Sequence, residues 1–194
     1  MTDTAREQET IEWLERLKSA LDQREETDVL FRRTRVRKTK GRVLRAILKR
    51  QELSKISIRN SLNLYRDNDK RQIVVYFRFP YKKLKMQEIN KRKFEKTLRY
   101  FTDQINKGEI EIPPFVNQRN FGDQPFSVEY RKNGYIRRVE KEKSENFSLV
   151  RRFPEGEKET EEDQFNWLIE TGFAMTAILD RLAETKTDKF NLPS

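Results

Sequence analysis

The sequence predicts an α+β fold: an antiparallel sheet built from two hairpins, with helices packed on one face and an amphipathic helix at each end. In "QIVVYFRF" (72–79) apolar residues recur at every second position, the pattern of a strand with one buried face. Short turn sequences separate the strand segments, which favours antiparallel neighbours. Strands and helices do not alternate regularly, as they would in a parallel α/β sheet.

The chain begins with a predicted helix and continues into two basic segments. Four apolar residues at helical spacing predict an amphipathic helix over 5–26. They are Ile11, Leu14, Leu17 and Leu21. β-branched and basic residues mix over 28–39, which indicates a strand or an extended arm. The apolar residues of 42–50 fit one helical face, so this segment is predicted to be a short basic helix.

A hairpin is predicted next. Residues 56–64 and 72–79 show the alternation of strands, and "RDNDKR" between them supplies turn residues. One face of this hairpin is apolar. The other carries Arg59, Asn63, Tyr65, Tyr76 and Arg78. In a competing interpretation, residues 54–64 form the second helix of a winged helix and the hairpin is its wing.

The second half predicts a helix, a second hairpin and a last helix. Residues 86–107 have an apolar stripe and are followed by Gly108, a typical residue after a helix end. Asn133-Gly134 indicates a tight hairpin turn, and "FSLVRRF" a further strand. A helix follows over roughly 161–184, with Gly172 weakening its middle. We therefore divide the chain into an acidic helix (1–27), a basic α+β core (28–153), and an acidic connector with a helix (154–194).

Charge is distributed unevenly along the chain, whose formal net charge is +10. Residues 31–100 hold twenty-four basic and five acidic side chains, whereas 1–30 hold four and nine, and 154–194 hold four and ten. Within 32–50 there are ten Lys or Arg and no acid. Such a segment favours a polyanionic partner, since repeated Lys and Arg neutralise successive phosphates. The competing interpretation is that the acidic ends fold back and neutralise the basic middle.

We therefore expect a non-enzymatic nucleic-acid-binding protein, with DNA preferred over RNA, that belongs to a larger assembly. The main phosphate contacts are expected from the basic segment, with base stacking by two tyrosines and a further basic face on the helix after residue 86. The alternative function is an adaptor or scaffold subunit whose basic segment docks an acidic protein. The candidate nucleic-acid-binding residues are Arg32, Arg33, Arg35, Arg37, Lys38, Lys40, Arg42, Arg45, Lys49, Arg50, Arg59, Tyr65, Tyr76, Arg78, Lys91, Arg92 and Lys93.

The absence of Cys and His excludes several classes of chemistry. Disulfides, Cys/His zinc sites, Cys nucleophiles and Ser-His-Asp triads are all impossible. No phosphate-binding glycine loop is present, and the glycines of RNA-recognition and KH motifs are missing. The acid-x-Lys triplet of a carboxylate nuclease occurs only at Glu184-Thr185-Lys186, at a helix end. We predict no catalytic residue, no metal and no cofactor.

Partners and location follow from the remaining patterns. The acidic amphipathic end helices suggest homo-oligomers or other protein subunits. No stretch is apolar for long enough to span a bilayer, and no secretory signal precedes the first helix. The expectation is an intracellular protein without a membrane partner, located in the cytoplasm or the nucleus.

Overall fold

In this computed structural model the described residues are 3–38, 42–49, 61–67, 70–80, 91–111, 124–132, 145–156 and 160–184. They form helices and strands with the following bounds. The helices are α1 (Asp3–Asp22), α2 (Glu25–Leu30), α3 (Lys91–Asn106) and α4 (Glu161–Glu184). The strands are β1 (Phe31–Arg37), β2 (Val43–Leu48), β3 (Ser61–Asp67), β4 (Gln72–Pro80), β5 (Ser127–Lys132) and β6 (Glu145–Pro154).

The strands form one antiparallel sheet in the order β1-β2-β3-β4-β6-β5. The first four strands follow one another as a meander. The chain then passes through α3, adds β5 at the far edge and returns as β6 between β4 and β5. The predicted fold class, an antiparallel sheet with helices at both ends, is confirmed. Within the described residues, β1 and β5 are the edge strands.

The helices pack on one side of the sheet, which we call the helix face. Phe94 of α3 contacts Phe79 and Phe147, with ring centroids 5.4 and 6.1 Å apart. Trp167 of α4 stacks on Phe153 at 4.5 Å. These strand residues belong to the apolar half of the period-two pattern, so burial of aromatic surface on this face holds helices and sheet together. We call the opposite side the second face.

Helices α1 and α4 also contact each other. The indole N–H of Trp13 donates a hydrogen bond to Oε1 of Gln164. An ion pair joins Arg16 to Glu161, with Nε and Oε1 2.7 Å apart. The predicted apolar stripe of α1 is buried in this layer, with Leu14 and Leu21 inaccessible to solvent. Both end helices therefore contribute to the same core as the sheet.

The predicted short helix over 42–50 is wrong, because Val43–Leu48 is strand β2. Leu44, Ala46 and Leu48 point to the helix face and are buried there. The alternate residues of the strand point to the second face, and two of these, Val43 and Ile47, are apolar as well. An internal strand with apolar residues on both faces loses its period of two, and its composition then fits a helical face equally well. The winged-helix alternative fails for the same reason, since its first helix is this strand.

Most other predicted elements are confirmed. The last helix has the predicted bounds, 161–184, and α3 covers the described part of the predicted helix over 86–107. The first hairpin is the β3–β4 pair, but β3 runs to Asp67, into the predicted turn, and residues 56–60 of the predicted strand lie outside the described residues. The N-terminal helix ends at Asp22, before its predicted end, and α2 occupies the first residues of the predicted strand or arm over 28–39, the rest of which contains β1. Asn133-Gly134 lies outside the described residues, and the described pairing of β5 is with β6.

A buried ion pair links the sheet to α4. Arg151 of β6 lies on the helix face with its side chain 3 % exposed, and its Nη1 is 3.3 Å from Oε1 of Glu170. Its guanidinium lies near the rings of Phe126 and Phe153, at 5.1 and 5.2 Å from their centroids. Its Nε–H donates to the carbonyl oxygen of Gln124. A charge removed from water in this way depends on these partners for its stability.

Candidate nucleic-acid interface

Strand β1 places three arginines in a row on the second face. Arg33, Arg35 and Arg37 alternate with residues that face the helices, and all three are exposed. Alternate residues of a strand are roughly 6.8 Å apart, so the row presents three guanidinium groups at regular intervals along the sheet edge. We call Arg33, Arg35 and Arg37 the arginine row.

The neighbouring strand β2 places a fourth arginine beside the arginine row. Arg35 lies directly opposite Arg45 in the β1–β2 register. Like charges in directly opposed positions destabilise a sheet, because their side chains are forced close together. The other β2 positions on this face are Val43 and Ile47, so β1 and β2 contribute no carboxylate to offset the repulsion. Guanidinium groups placed side by side on one face can contact the oxygens of a bound anion together.

Asn63 of β3 orients Arg45. Its Oδ1 accepts a hydrogen bond from Nε of Arg45 at 3.1 Å, and its Nδ2 donates to the carbonyl oxygen of Ser61 at 3.1 Å. Asn63 is buried, and asparagine is uncommon inside strands. Sequence reasoning placed Asn63 on the polar face but gave it no function. The signal available was an amide between Leu62 and Leu64, in the middle of a predicted strand.

Replacing Asn63 with leucine is expected to weaken nucleic-acid binding about fivefold, the effect of one lost hydrogen bond. The salt dependence should stay unchanged, since Arg45 keeps its charge and neutralises the same phosphate. Asn63→Asp is the matched variant: it keeps the size but adds a negative charge beside Arg45, so it should lower the salt slope by about one contact. Titrations at several salt concentrations measure both quantities. A reduced slope for Asn63→Leu would contradict the orienting role.

The other side of the basic segment is already neutralised by α1. Nζ of Lys38 lies 3.2 Å from Oε1 of Glu15, and Arg42 forms an ion pair with Glu7. Lys38 and Arg42 lie at the end of the β1–β2 pair, at even-numbered positions. On these two strands the even-numbered residues face the helices. The interpretation in which an acidic end folds back therefore applies to these two residues, whereas the arginine row points away from α1.

Two tyrosines lie further along the second face. Tyr65 of β3 and Tyr76 of β4 form an edge-to-face pair with ring centroids 5.7 Å apart, and both are half-buried. The guanidinium of Arg78 lies 5.5 Å from the centroid of Tyr76. Further across this face, Val74 of β4 and Val150 of β6 are each 1 % exposed, whereas Arg78 and Ser127 on the same face are exposed.

The remaining predicted residues are scattered. Arg32 is the extra residue where the β1–β2 register shifts, and it is exposed, as is Lys49. Arg92 and Lys93 are exposed on α3, in the helix layer, so they do not join the arginine row. Lys91 begins α3, but its side chain is not described. Lys40, Arg50 and Arg59 lie outside the described residues.

Comparison with protein-family models, curated proteins and solved structures gave no match to this chain. None of the described helices combines the length and the apolar composition that crossing a bilayer requires. Across the described ranges, no group of three or more carboxylates is arranged to hold a metal ion. Function is therefore inferred from the geometry of the second face.

Proposed function

We propose that this protein binds nucleic acid without catalysing a reaction on it, and that the arginine row with Arg45 contacts the phosphates. The observation that supports the proposal is the row of three exposed arginines on the edge strand β1, with Arg45 of β2 directly opposite Arg35. Arginine suits this role, since its planar guanidinium binds phosphate oxygens through two parallel hydrogen bonds. Binding releases counterions from the nucleic acid, and that release supplies the affinity.

The non-enzymatic part of the proposal is supported by composition. Without His and Cys, the groups that most often act as acid, base or nucleophile near neutral pH are missing. The preference for DNA over RNA remains an expectation from the sequence. So does assembly with other subunits, and here the structure adds that the apolar stripes of α1 and α4 are buried within this chain.

An acidic protein partner is the second candidate, and one observation favours it. The carboxylates of Glu7 and Glu15 on α1 already bind Arg42 and Lys38, so the basic segment accepts carboxylates from a helix. The row itself is regular and spans one exposed strand, which fits a backbone with regularly repeated charge better than a folded acidic surface.

The salt dependence of binding tests the proposal. The logarithm of the association constant should fall linearly with the logarithm of salt concentration, by roughly 0.7 to 0.9 per phosphate neutralised. Each single change Arg33→Ala, Arg35→Ala or Arg37→Ala should reduce the slope by one such contact. Lys107→Ala, which removes an exposed charge of α3's C-terminal turn, is the control and should leave the slope unchanged. Equal slopes for all four variants would refute the proposal.

A further inference from the structure

The arginine row and the tyrosine pair lie on the same face of the sheet, with β2 between β1 and β3. Arg37 is opposite Val43, and Leu44 is opposite Leu64. One further step in this antiparallel register puts Tyr65 beside Val43. Strands are about 4.8 Å apart, so Tyr65 stands roughly 10 Å from the row. That distance is comparable to the length of a nucleotide from its phosphate to the far edge of its base.

The surface between the row and Tyr65 is partly apolar. Val43 and Ile47 flank Arg45 on this face; Val43 is buried, whereas Ile47 is only half-buried. A duplex gains nothing from apolar and aromatic surface here, because its bases are paired and stacked inside the helix. An unpaired base presents an apolar face that gains from contact with the partly exposed isoleucine and tyrosine side chains.

We propose that the ligand is single-stranded and lies parallel to β1, with its phosphates on the arginine row and its bases directed across β2 towards Tyr65. This inference rests on the proposed function, to which it adds the strandedness and the direction of the ligand. The tyrosine pair marks the end of the path, because Tyr76 contacts the ring of Tyr65 edge-to-face on the side away from β1.

The test uses three probes and two matched variants of Tyr65. The probes are a short labelled oligothymidylate, an abasic oligomer with the same number of phosphates, and a DNA duplex of equal length. Tyr65→Leu removes the ring and keeps an apolar side chain, while Tyr65→Phe keeps the ring. We expect Tyr65→Leu to weaken oligothymidylate binding about tenfold, the effect of one lost stacking contact. Binding of the abasic oligomer and the duplex should not change, and Tyr65→Phe should bind all probes as the wild type does.

The outcomes separate this inference from the function on which it rests. Equal effects of Tyr65→Leu on all three probes, or no effect on any, would overturn the single-strand path while the arginine row still binds phosphate. Unchanged binding after Arg33, Arg35 and Arg37 are replaced with alanine would overturn both. Polyglutamate binding as tight as oligothymidylate binding would also overturn both, in favour of an acidic protein partner. Circular dichroism of each variant shows whether a loss of affinity comes from a loss of fold.

Discussion

Replacing Arg33, Arg35 and Arg37 together with glutamate is expected to weaken nucleic-acid binding at least about 100-fold. Each change removes a charge-assisted hydrogen bond, whose net contribution is about 1.5 to 3 kcal/mol, and adds repulsion from the phosphate. The three side chains are exposed on an edge strand, so the fold should be retained. Titration with a labelled oligonucleotide at constant salt measures the loss.

The same variant should be more stable than the wild type. Arg35→Glu replaces a like-charge pair opposite Arg45 with an attractive one, and such cross-strand pairs are worth about 0.2 to 1 kcal/mol each. Urea denaturation should therefore show a higher free energy of unfolding while binding is lost. A site kept for binding at the expense of stability behaves in this way, whereas a structural arginine would lose both together.

The matched control is a second triple variant, which reverses three positive charges on other parts of the surface. Lys70, Lys107 and Arg181 are exposed and lie outside the second face of β1 and β2. Their joint replacement with glutamate alters the net charge equally and should reduce affinity far less than reversal of the arginine row. If both triple variants lose the same affinity, only the overall charge of the protein attracts the nucleic acid.

Removing Glu170 is expected to lower the free energy of unfolding by about 3 kcal/mol, the largest stability effect we predict. Glu170→Leu leaves the guanidinium of Arg151 buried without the carboxylate that offsets its charge. The double variant Arg151→Met with Glu170→Leu should regain most of that loss, since apolar side chains of similar size can replace a buried ion pair. Urea denaturation of the wild type, both single variants and the double variant measures the coupling.

The coupling decides between two explanations of a destabilised Glu170→Leu protein. If the double variant is as unstable as the sum of its single changes, the two residues act independently and the loss comes from helix packing. Oligonucleotide binding provides a second check. The ion pair lies on the helix face, so all four proteins should bind with equal affinity while they are folded.

The spacing of apolar residues correctly predicted those helices and strands that have one apolar face and one polar face. α4 was placed correctly because its ends carry clear signals, and β4 because one of its faces is fully apolar. β2 was missed because its pattern is apolar on both sides. Gly172 looked like a weakness in α4, but a Cβ there would lie 3.2 Å from Cζ of Phe31, so glycine allows the close approach of α4 and β1. That contact joins residues far apart in sequence, which periodicity cannot reveal.

The sequence identified the basic residues of the candidate site but did not show how they are arranged on the sheet. The basic segment was recognised from its composition, yet only strand geometry assigns Lys38 and Arg42 to α1 and the arginine row to the second face. The opposition of Arg35 and Arg45 depends on register, which is set by the buried residues of both strands. The role of Asn63 depends on a third strand. These relations are tertiary, so no single stretch of sequence contains them.

The contact between Trp13 and Gln164 has a consequence for folding during synthesis. It spans 151 residues, so this contact of α1 cannot form until Gln164 has left the ribosome. The β1–β4 meander has only short-range pairings and forms earlier, because local contacts close with less loss of chain entropy. During that interval the side chains later covered by α4 remain accessible to solvent. A nascent chain halted before α4 should therefore be retained by chaperones that recognise apolar surface, and released once the last helix is made.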